Sequence, residues 1–221
     1  RALKLLQKKT GITKAVRIRL KKFIPVAAGL GGGSSDAAAA LKGLNALWGL
    51  DLSADRLMEI AAELGSDVPF FIHGGIALAR GRGEIIEPLP SPGEYWFVLL
   101  IPSVDTYSDK TSRMYHNLTR ANFTRGESTE TLANRIKDGD EIEESLLYNV
   151  FDEVAPKIYP QLSFFRELLA ETAGTDKVHM AGSGPCLFVM IRDEARAKHI
   201  WSSLVQMKYK AYLSKSLIGT A

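Results

Sequence analysis

The sequence predicts an α+β protein whose second half packs helices on one face of an antiparallel sheet. The run YWFVLLIP is continuously apolar, which is typical of a strand buried on both faces. The hydrophobic periodicity after Asn149 then predicts, in order, a helix over 162–173, strands over 178–181 and 187–191, a helix over 194–206 and a strand near 211–217. The composition, 46% hydrophobic and 24% charged, is that of a globular chain with a real core.

Helices dominate the predicted first half. Leucines at helical spacing predict a helix over 2–9, which Gly11 ends. In AVRIRLKKFIP, by contrast, Val16, Ile18 and Leu20 alternate with basic residues, so the period-2 pattern predicts a strand with one buried face.

The segments after residue 28 are strongly punctuated by glycine and proline. The glycine-rich stretch leads into a helix for which Ser34 or Ser35 is the expected N-cap. A second helix follows, running from a Ser53 cap to Leu64. We expect SDVPFF to form a short turn and GGIALARGRGE to form a hairpin.

Two domains are predicted, one over residues 1–90 and one over residues 91–221. The boundary is the segment EPLPSPGE, whose three prolines are typical of a linker. The net charge is +3, from 28 basic and 25 acidic residues. So small an excess does not predict nucleic acid as the main partner, because such binding needs basic residues clustered on one face. The chain also lacks the run of about 18 apolar residues that a membrane partner would require. Cys186 is the single cysteine, which excludes an internal disulfide and fits a cytoplasmic protein.

The glycine-rich stretch Gly29–Asp36 is the strongest functional signal. Clustered glycines let a backbone approach a ligand closely, and a helix N-terminus favours phosphate. The stretch is neither a P-loop, because no lysine follows Gly33, nor a dinucleotide fingerprint, because Ser34 stands where glycine or alanine is needed. A glycine turn without a ligand is the alternative at this point.

Three segments in order resemble the motifs of the GHMP small-molecule kinases: IPVAAGLGGGSSDAAAAL, LGSDVPFFIHGGIALARGRGE and HMAGSGPCLFVM. The resemblance implies an N-terminal half like ribosomal protein S5 domain 2 and a ferredoxin-like C-terminal half. It implies that ATP, with Mg²⁺, binds at Pro25, Val26, Ala27, Ala28, Gly29, Leu30, Gly31, Gly32, Gly33, Ser34 and Ser35. The triple glycine before Ser-Ser-Asp is similar to family members that phosphorylate the 2-hydroxyl of a cytidine-diphosphate-linked methylerythritol, an isoprenoid precursor of the non-mevalonate pathway.

The same resemblance assigns roles to individual residues. Asp67 falls at the family's catalytic aspartate, although an aspartate before Pro69 is also a common turn residue. The loop Gly182, Ser183 and Gly184 would lie beside phosphates and substrate; from local sequence alone it is equally a hairpin turn. Thr111 and Tyr115 look like substrate-binding residues, with an amphipathic surface helix as the alternative.

Three further residues carry weaker expectations. Asp36, in the first helical turn, is expected to be structural. Asn149 is similar to the asparagine of the family's Asn-Asp motif, but Val150 replaces the aspartate. Cys186 is expected to be a small packed side chain.

Several alternatives stay open from the sequence. Another GHMP kinase, acting on homoserine or mevalonate, and a non-catalytic ligand-binding relative share the motifs, and both a monomer and a homodimer fit. The family's Pro-Ala-Lys-Ile-Asn-Leu and Tyr-His-Glu motifs are not in the sequence, which begins at Arg1 rather than Met. We therefore expect the chain to be most of a longer kinase, and to be inactive or barely active alone.

Overall fold

Two units make up residues 1–104 and 110–217, the part of the chain that the computed structural model describes. Unit 1 contains residues 1–26 and 31–90. Unit 2 contains the short segment Ala27–Leu30 and the described residues from Ser91 onward. The glycine-rich stretch is therefore divided between the two units.

Four helices form the body of unit 1: α1 (Ala2–Thr10), α2 (Gly32–Trp48), α3 (Ala54–Ala62) and α4 (Val68–His73). Their apolar faces meet in a core that includes the fully buried Leu6, Leu41 and Ile60. Gly11 adopts a left-handed conformation after α1, and the Ser53 hydroxyl accepts a hydrogen bond of 3.2 Å from the Arg56 N–H at the start of α3. The predicted end of α1 and the predicted start of α3 are confirmed, whereas α3 ends at Ala62 rather than at Leu64.

A hairpin completes unit 1. Strands β1 (Ile76–Arg80) and β2 (Ile85–Leu89) pair antiparallel, with Leu78 opposite Glu87. The glycines of the GRG sequence lie in the turn between them, so the predicted hairpin is confirmed.

The strand predicted from the alternation of Val16, Ile18 and Leu20 is wrong. The structure assigns no strand anywhere between α1 and α2. Val16 packs against the helical core of unit 1, but Ile18 is 53% exposed and Leu20 61% exposed. A strand persists only when a neighbour completes its backbone hydrogen bonds and covers its apolar face. Among the described residues none pairs with this segment, so the alternation alone does not produce a strand.

Two smaller expectations for unit 1 are also corrected. Helix α2 begins at Gly32 with Gly31 as its N-cap, three positions before the earliest serine expected in that role. Gly31 has a φ of 63°, which glycine adopts at little cost, so the chain enters the helix earlier. The segment SDVPFF forms helix α4 rather than an open turn, with Pro69 in the first helical turn, where its missing N–H costs nothing.

An antiparallel sheet organises unit 2. Its strands are β3 (Trp96–Leu100), β4 (His179–Met180), β5 (Leu187–Ile191) and β6 (Ala211–Lys215), in the spatial order β4-β5-β3-β6. Val98 of the central strand β3 lies opposite Val189 on one side and Leu213 on the other. The predicted strands are therefore confirmed, with β4 and β6 shorter than expected.

Helices cover the sheet of unit 2 and build its core. They are α5 (Lys110–His116), α6 (Glu127–Lys137), α7 (Ala155–Ile158), α8 (Leu162–Ala173) and α9 (Glu194–Gln206). Helices α8 and α9 have the predicted bounds and bury Leu169, Ile200 and Leu204 against the sheet. The order β3-α8-β4-β5-α9-β6 is that of a ferredoxin-like fold. Among the described helices of both units, none combines the length and the apolar character that a membrane span requires.

Candidate active site

In unit 1, the end of the glycine-rich stretch lies directly against helix α4. A β-carbon on Gly31 would be 2.6 Å from Cζ of Phe71, so the phenyl ring occupies the space of a side chain. The N–H groups of the first turn of α2 have no carbonyl partner four residues back, which is the usual character of a helix N-terminus. The long helix α2 thus presents donors and a partial positive charge behind bare glycine backbone.

A lysine and an aspartate face each other at the same end of α2. The Lys22 ammonium contacts the Asp36 carboxylate and donates a second hydrogen bond of 3.2 Å to the carbonyl of Gly32. The structural role expected for Asp36 thus has a physical basis, because the ion pair joins the segment before the loop to the helix after it. Both side chains remain about 30% exposed, 31% for Lys22 and 30% for Asp36.

Asp67 occupies the N-cap position of α4. Its side chain is exposed and makes no capping hydrogen bond to the helix. The same helix carries Phe71, the residue in contact with Gly31. Helix α4 therefore links Asp67, at its N-terminal end, to Gly31 at the start of α2, because Phe71 of the same helix packs against that glycine.

In unit 2, the backbone of Ala27–Leu30, the first glycine loop, is in contact with the backbone around Gly182–Gly184, the second glycine loop. A β-carbon on Gly29 would be 2.0 Å from the carbonyl oxygen of Ala181 and 3.0 Å from the amide nitrogen of Gly184. A β-carbon on Gly182 would be 3.1 Å from the carbonyl oxygen of Gly29. The Cys186 N–H also donates to the carbonyl of Ala28 at 3.2 Å. This packing requires glycine at position 29, a requirement that sequence reasoning attributed only to ligand binding.

The second glycine loop is also in contact with helix α5. The Thr111 hydroxyl lies 3.3 Å from the Ser183 hydroxyl, within hydrogen-bond distance. One helical turn further on, the Tyr115 ring meets Phe151 edge to face, with ring centres 5.0 Å apart, and stays 60% exposed. Two of the predicted substrate residues are thus on one short helix, and Thr111 is joined to the predicted loop.

Asn149 holds the second glycine loop in place, a role that sequence reasoning did not assign to it. Its amide N–H groups donate to the carbonyls of Met180 at 2.9 Å and Gly182 at 2.8 Å. Its amide oxygen accepts from the Phe151 N–H at 3.0 Å. The side-chain amide of Asn149 thus donates two hydrogen bonds and accepts one. In the sequence, the partial match to an Asn-Asp motif was the signal that pointed to this residue.

A cavity of about 300 Å³ in unit 2 adjoins this asparagine. Its polar lining includes Tyr148, Asp152 and His179. Burial raises the pKa of the Asp152 carboxyl, while the charge of Arg166, which contacts it, opposes that rise. The Tyr148 hydroxyl donates to Glu153 at 2.8 Å, and this hydrogen bond raises the pKa of the tyrosine. Hydrogen bonds from the Asn122 amide, at 2.6 Å, and from Tyr148 lower the pKa of Glu153.

Metal-binding residues of the usual kind are not clustered in the described parts of either unit. Within residues 1–104 and 110–217, no group of three or more histidine, cysteine, aspartate and glutamate residues is arranged to hold an ion.

Comparison with known families defines the class of protein. The family model described as the GHMP kinases N terminal domain matches residues 1–75, and the model described as GHMP kinases C terminal matches residues 129–210. A 4-diphosphocytidyl-2-C-methyl-D-erythritol kinase of Dehalococcoides mccartyi is 44% identical over 98% of this chain, which spans 76% of that relative. A kinase of the same name from Shouchella clausii is 40% identical over 92% of the chain and 67% of its own length. The chain therefore belongs to the GHMP kinase family, among the members that carry this name.

Solved structures agree with that assignment. A crystal structure of 4-(cytidine 5'-diphospho)-2C-methyl-D-erythritol kinase superimposes with a TM-score of 0.78 at 31% identity, covering 97% of this chain and 75% of the other. The homoserine kinase of Cytophaga hutchinsonii gives a TM-score of 0.76 at 17% identity, covering 98% and 74%, and shows the shared fold alone. The expected GHMP kinase fold is confirmed.

Proposed function

We propose that this protein transfers the γ-phosphoryl group of ATP to the 2-hydroxyl of 4-diphosphocytidyl-2-C-methyl-D-erythritol. The observation that carries the proposal is the 44% identity, over 98% of the chain, to a kinase named for this substrate. The geometry supports phosphoryl transfer, since bare glycine backbone precedes the N-terminus of a 17-residue helix. A cytoplasmic location fits the use of ATP and the lone Cys186.

The glycine-rich stretch fits a triphosphate. A β-carbon on Gly33, in the first turn of α2, would meet no atom within 4 Å, so a phosphate has open space beside bare backbone there. We assign ATP to residues 25–35, with the Ser34 and Ser35 hydroxyls as further donors or as magnesium ligands. When bound, ATP with Mg²⁺ supplies the phosphoryl group and partly neutralises its charge.

Asp67 is the residue that we propose as general base. A carboxylate at the exposed N-cap of α4 is free to accept the proton of a substrate hydroxyl, because no capping hydrogen bond engages it. The N–H groups at the start of α2 would stabilise negative charge that develops on the transferring phosphoryl group. Asp67 and the start of α2 belong to the same unit of the fold.

The substrate is assigned to elements of unit 2. Gly182 exposes backbone that can approach a diphosphate, and the hydroxyls of Ser183 and Thr111 are adjacent. The Tyr115 ring is exposed and fixed against Phe151, which suits contact with the organic part of a substrate. We further propose that residues 1–90 form the ATP-binding domain and residues 91–221 the C-terminal domain of the kinase.

The test is ADP release by the full gene product with three alcohols: the cytidylated methylerythritol, homoserine and mevalonate. We expect turnover with the first substrate alone; turnover with mevalonate and none with the cytidylated alcohol would overturn the assignment. Asp67→Asn should lower kcat by about 10²- to 10⁴-fold while ATP still binds. Asp55→Asn is the matched control, because Asp55 is an exposed aspartate of unit 1 in the first turn of α3. Equal activity of Asp67→Asn and the parent would remove Asp67 from the mechanism.

A further inference from the structure

The turn of the β1–β2 hairpin lies against Asp67. A β-carbon built on Gly83 would be 3.7 Å from both Cβ and the carbonyl oxygen of Ser66, and 3.8 Å from Oδ1 of Asp67. Gly83 has a φ of +112°, a conformation that side-chain-bearing residues rarely adopt. A methyl group at position 83 would therefore be in ordinary van der Waals contact with the Asp67 carboxylate, which places the backbone of the turn beside that carboxylate.

Glu84 fixes the shape of this turn from within. Its carboxylate accepts a hydrogen bond of 2.7 Å from the Arg82 N–H, and the Gly83 N–H donates to the Arg80 carbonyl at 3.0 Å. Hydrogen bonds from the backbone N–H groups of Glu84 itself and of Arg82 lower the pKa of the Glu84 carboxyl, so it stays ionised in this role. A β-carbon on Gly81 would be only 3.1 Å from that carboxylate, which shows how closely it lies over the turn.

Asp67 needs such a neighbour. As an exposed N-cap residue without a capping hydrogen bond, its carboxylate is not oriented by the helix that it precedes. A general base must nevertheless stay within hydrogen-bond reach of the proton that it accepts, and a displacement of about 1 Å can cost up to about 100-fold in rate.

We propose that the turn Gly81–Glu84 is a positioning element for the Asp67 carboxylate. Gly83 brings the backbone of the turn beside the carboxylate, and Glu84 keeps the turn in the shape that places it there. The inference rests on the proposed role of Asp67 as general base, and it assigns to two residues of the hairpin a function in that same reaction.

The experiment compares alanine substitutions at two glycines of unit 1 that both have a positive φ. Gly83→Ala adds a methyl group beside Asp67, whereas Gly75→Ala adds one at a φ of +67° with no atom within 4 Å. In the full gene product labelled with ¹³C-aspartate, the Asp67 carboxyl resonance is assigned by its loss in Asp67→Asn. We expect Gly83→Ala to shift this resonance and Gly75→Ala to leave it in place.

A second pair of variants addresses the turn without adding any atom beside Asp67. Glu84→Ala removes the acceptor inside the turn, whereas Glu59→Ala removes an exposed acidic residue of α3 whose partner, Arg56, lies on the same helix. Glu84→Ala should move the Asp67 resonance and Glu59→Ala should not. In turnover assays, Gly83→Ala and Glu84→Ala should lower kcat roughly 10- to 100-fold with an unchanged KM for ATP.

The NMR comparison separates this inference from the proposed function. An Asp67 resonance that is unmoved in both Gly83→Ala and Glu84→Ala, or moved equally in the control variants, would overturn the positioning role. Absence of turnover in the parent with every alcohol would instead count against the proposed function, while the resonance shifts would still report whether the turn orients Asp67.

Discussion

Gly29 and Ala181 are in contact through their backbones, although 152 positions separate them in the sequence (181 minus 29). The carbonyl oxygen of Ala181 lies 2.0 Å from the point where a β-carbon of Gly29 would be. Glycine at this position is thus a packing requirement of unit 2, in addition to any role in binding phosphate.

Gly29→Ala should destabilise unit 2 strongly. The methyl group would overlap a backbone oxygen that cannot rotate away, at a φ of +83° that already disfavours alanine. We expect a loss of about 2–5 kcal/mol in the free energy of unfolding, measured by urea titration with circular dichroism. A variant as stable as the parent would show that the two loops separate readily.

Gly33→Ala provides the contrasting case in the same loop. A β-carbon there meets nothing within 4 Å, and the residue lies in the first turn of α2. The free energy of unfolding should therefore stay within about 1 kcal/mol of the parent. If the triphosphate approaches this backbone as proposed, titration calorimetry should show weaker binding of a non-hydrolysable ATP analogue. Unchanged affinity would place the phosphates elsewhere.

Asn149→Ala should cost stability because it leaves two carbonyls and one N–H without their partner. We expect a loss of about 2–4 kcal/mol in the free energy of unfolding. Asn117→Ala is the control, since within the described residues that half-buried side chain makes one hydrogen bond, to the Arg113 carbonyl one turn earlier in the chain. Equal losses in the two variants would mean that Asn149 does not hold the second glycine loop.

Tyr159→Phe should leave the protein as stable as the parent or more stable by about 1 kcal/mol. The Tyr159 hydroxyl is buried and has no hydrogen-bond partner in the described parts of the chain. Removing an unpartnered polar atom from the core recovers part of its desolvation cost. Thermal unfolding would reveal the effect, and a clear loss of stability would point to a partner for this hydroxyl.

Asp152→Asn should change how stability depends on pH. Burial raises the pKa of Asp152 above its ordinary 3.8, so the folded state holds this proton more tightly than the unfolded state does. The contribution of the carboxyl to stability is therefore fully present below pH 3.8 and is lost as pH rises through the folded pKa. The parent should lose stability relative to Asp152→Asn across that window in urea titrations. A constant difference between the two would contradict the raised pKa.

Periodicity and apolar runs predicted the helices and strands of unit 2, including β3, whose partners β5 and β6 lie far along the chain. Helices α8 and α9 have the predicted bounds. The hairpin of unit 1 was predicted to exist, but its strand β2 lies beyond the segment GGIALARGRGE from which it was predicted. The strand predicted around Ile18 was wrong because an alternating pattern indicates only which side chains share a face. It does not indicate whether a neighbouring strand is present to pair with the segment. The start of α2 was misplaced because a glycine at positive φ can cap a helix without any side-chain oxygen.

The candidate site was predicted from motifs rather than from physical pattern. Motifs identified the two glycine loops and Asp67, but not the contact of Gly29 with Ala181 or that of Thr111 with Ser183. These contacts join residues far apart in the chain, and only the sheet of unit 2 brings them together. Asn149 illustrates the remaining gap, because a lone asparagine shows no sign in the sequence of the three backbone groups that it binds.

The assignment of Ala27–Leu30 to unit 2 has a consequence for how the polypeptide matures. The Ala28 carbonyl receives its hydrogen bond from Cys186, so this short segment must wait for most of the chain to leave the ribosome. Unit 2 is consequently discontinuous, and a fragment that starts at Ser91 would lack part of its own structure. The Cys186 amide of such a fragment should exchange its hydrogen with solvent faster than the same amide in the whole chain.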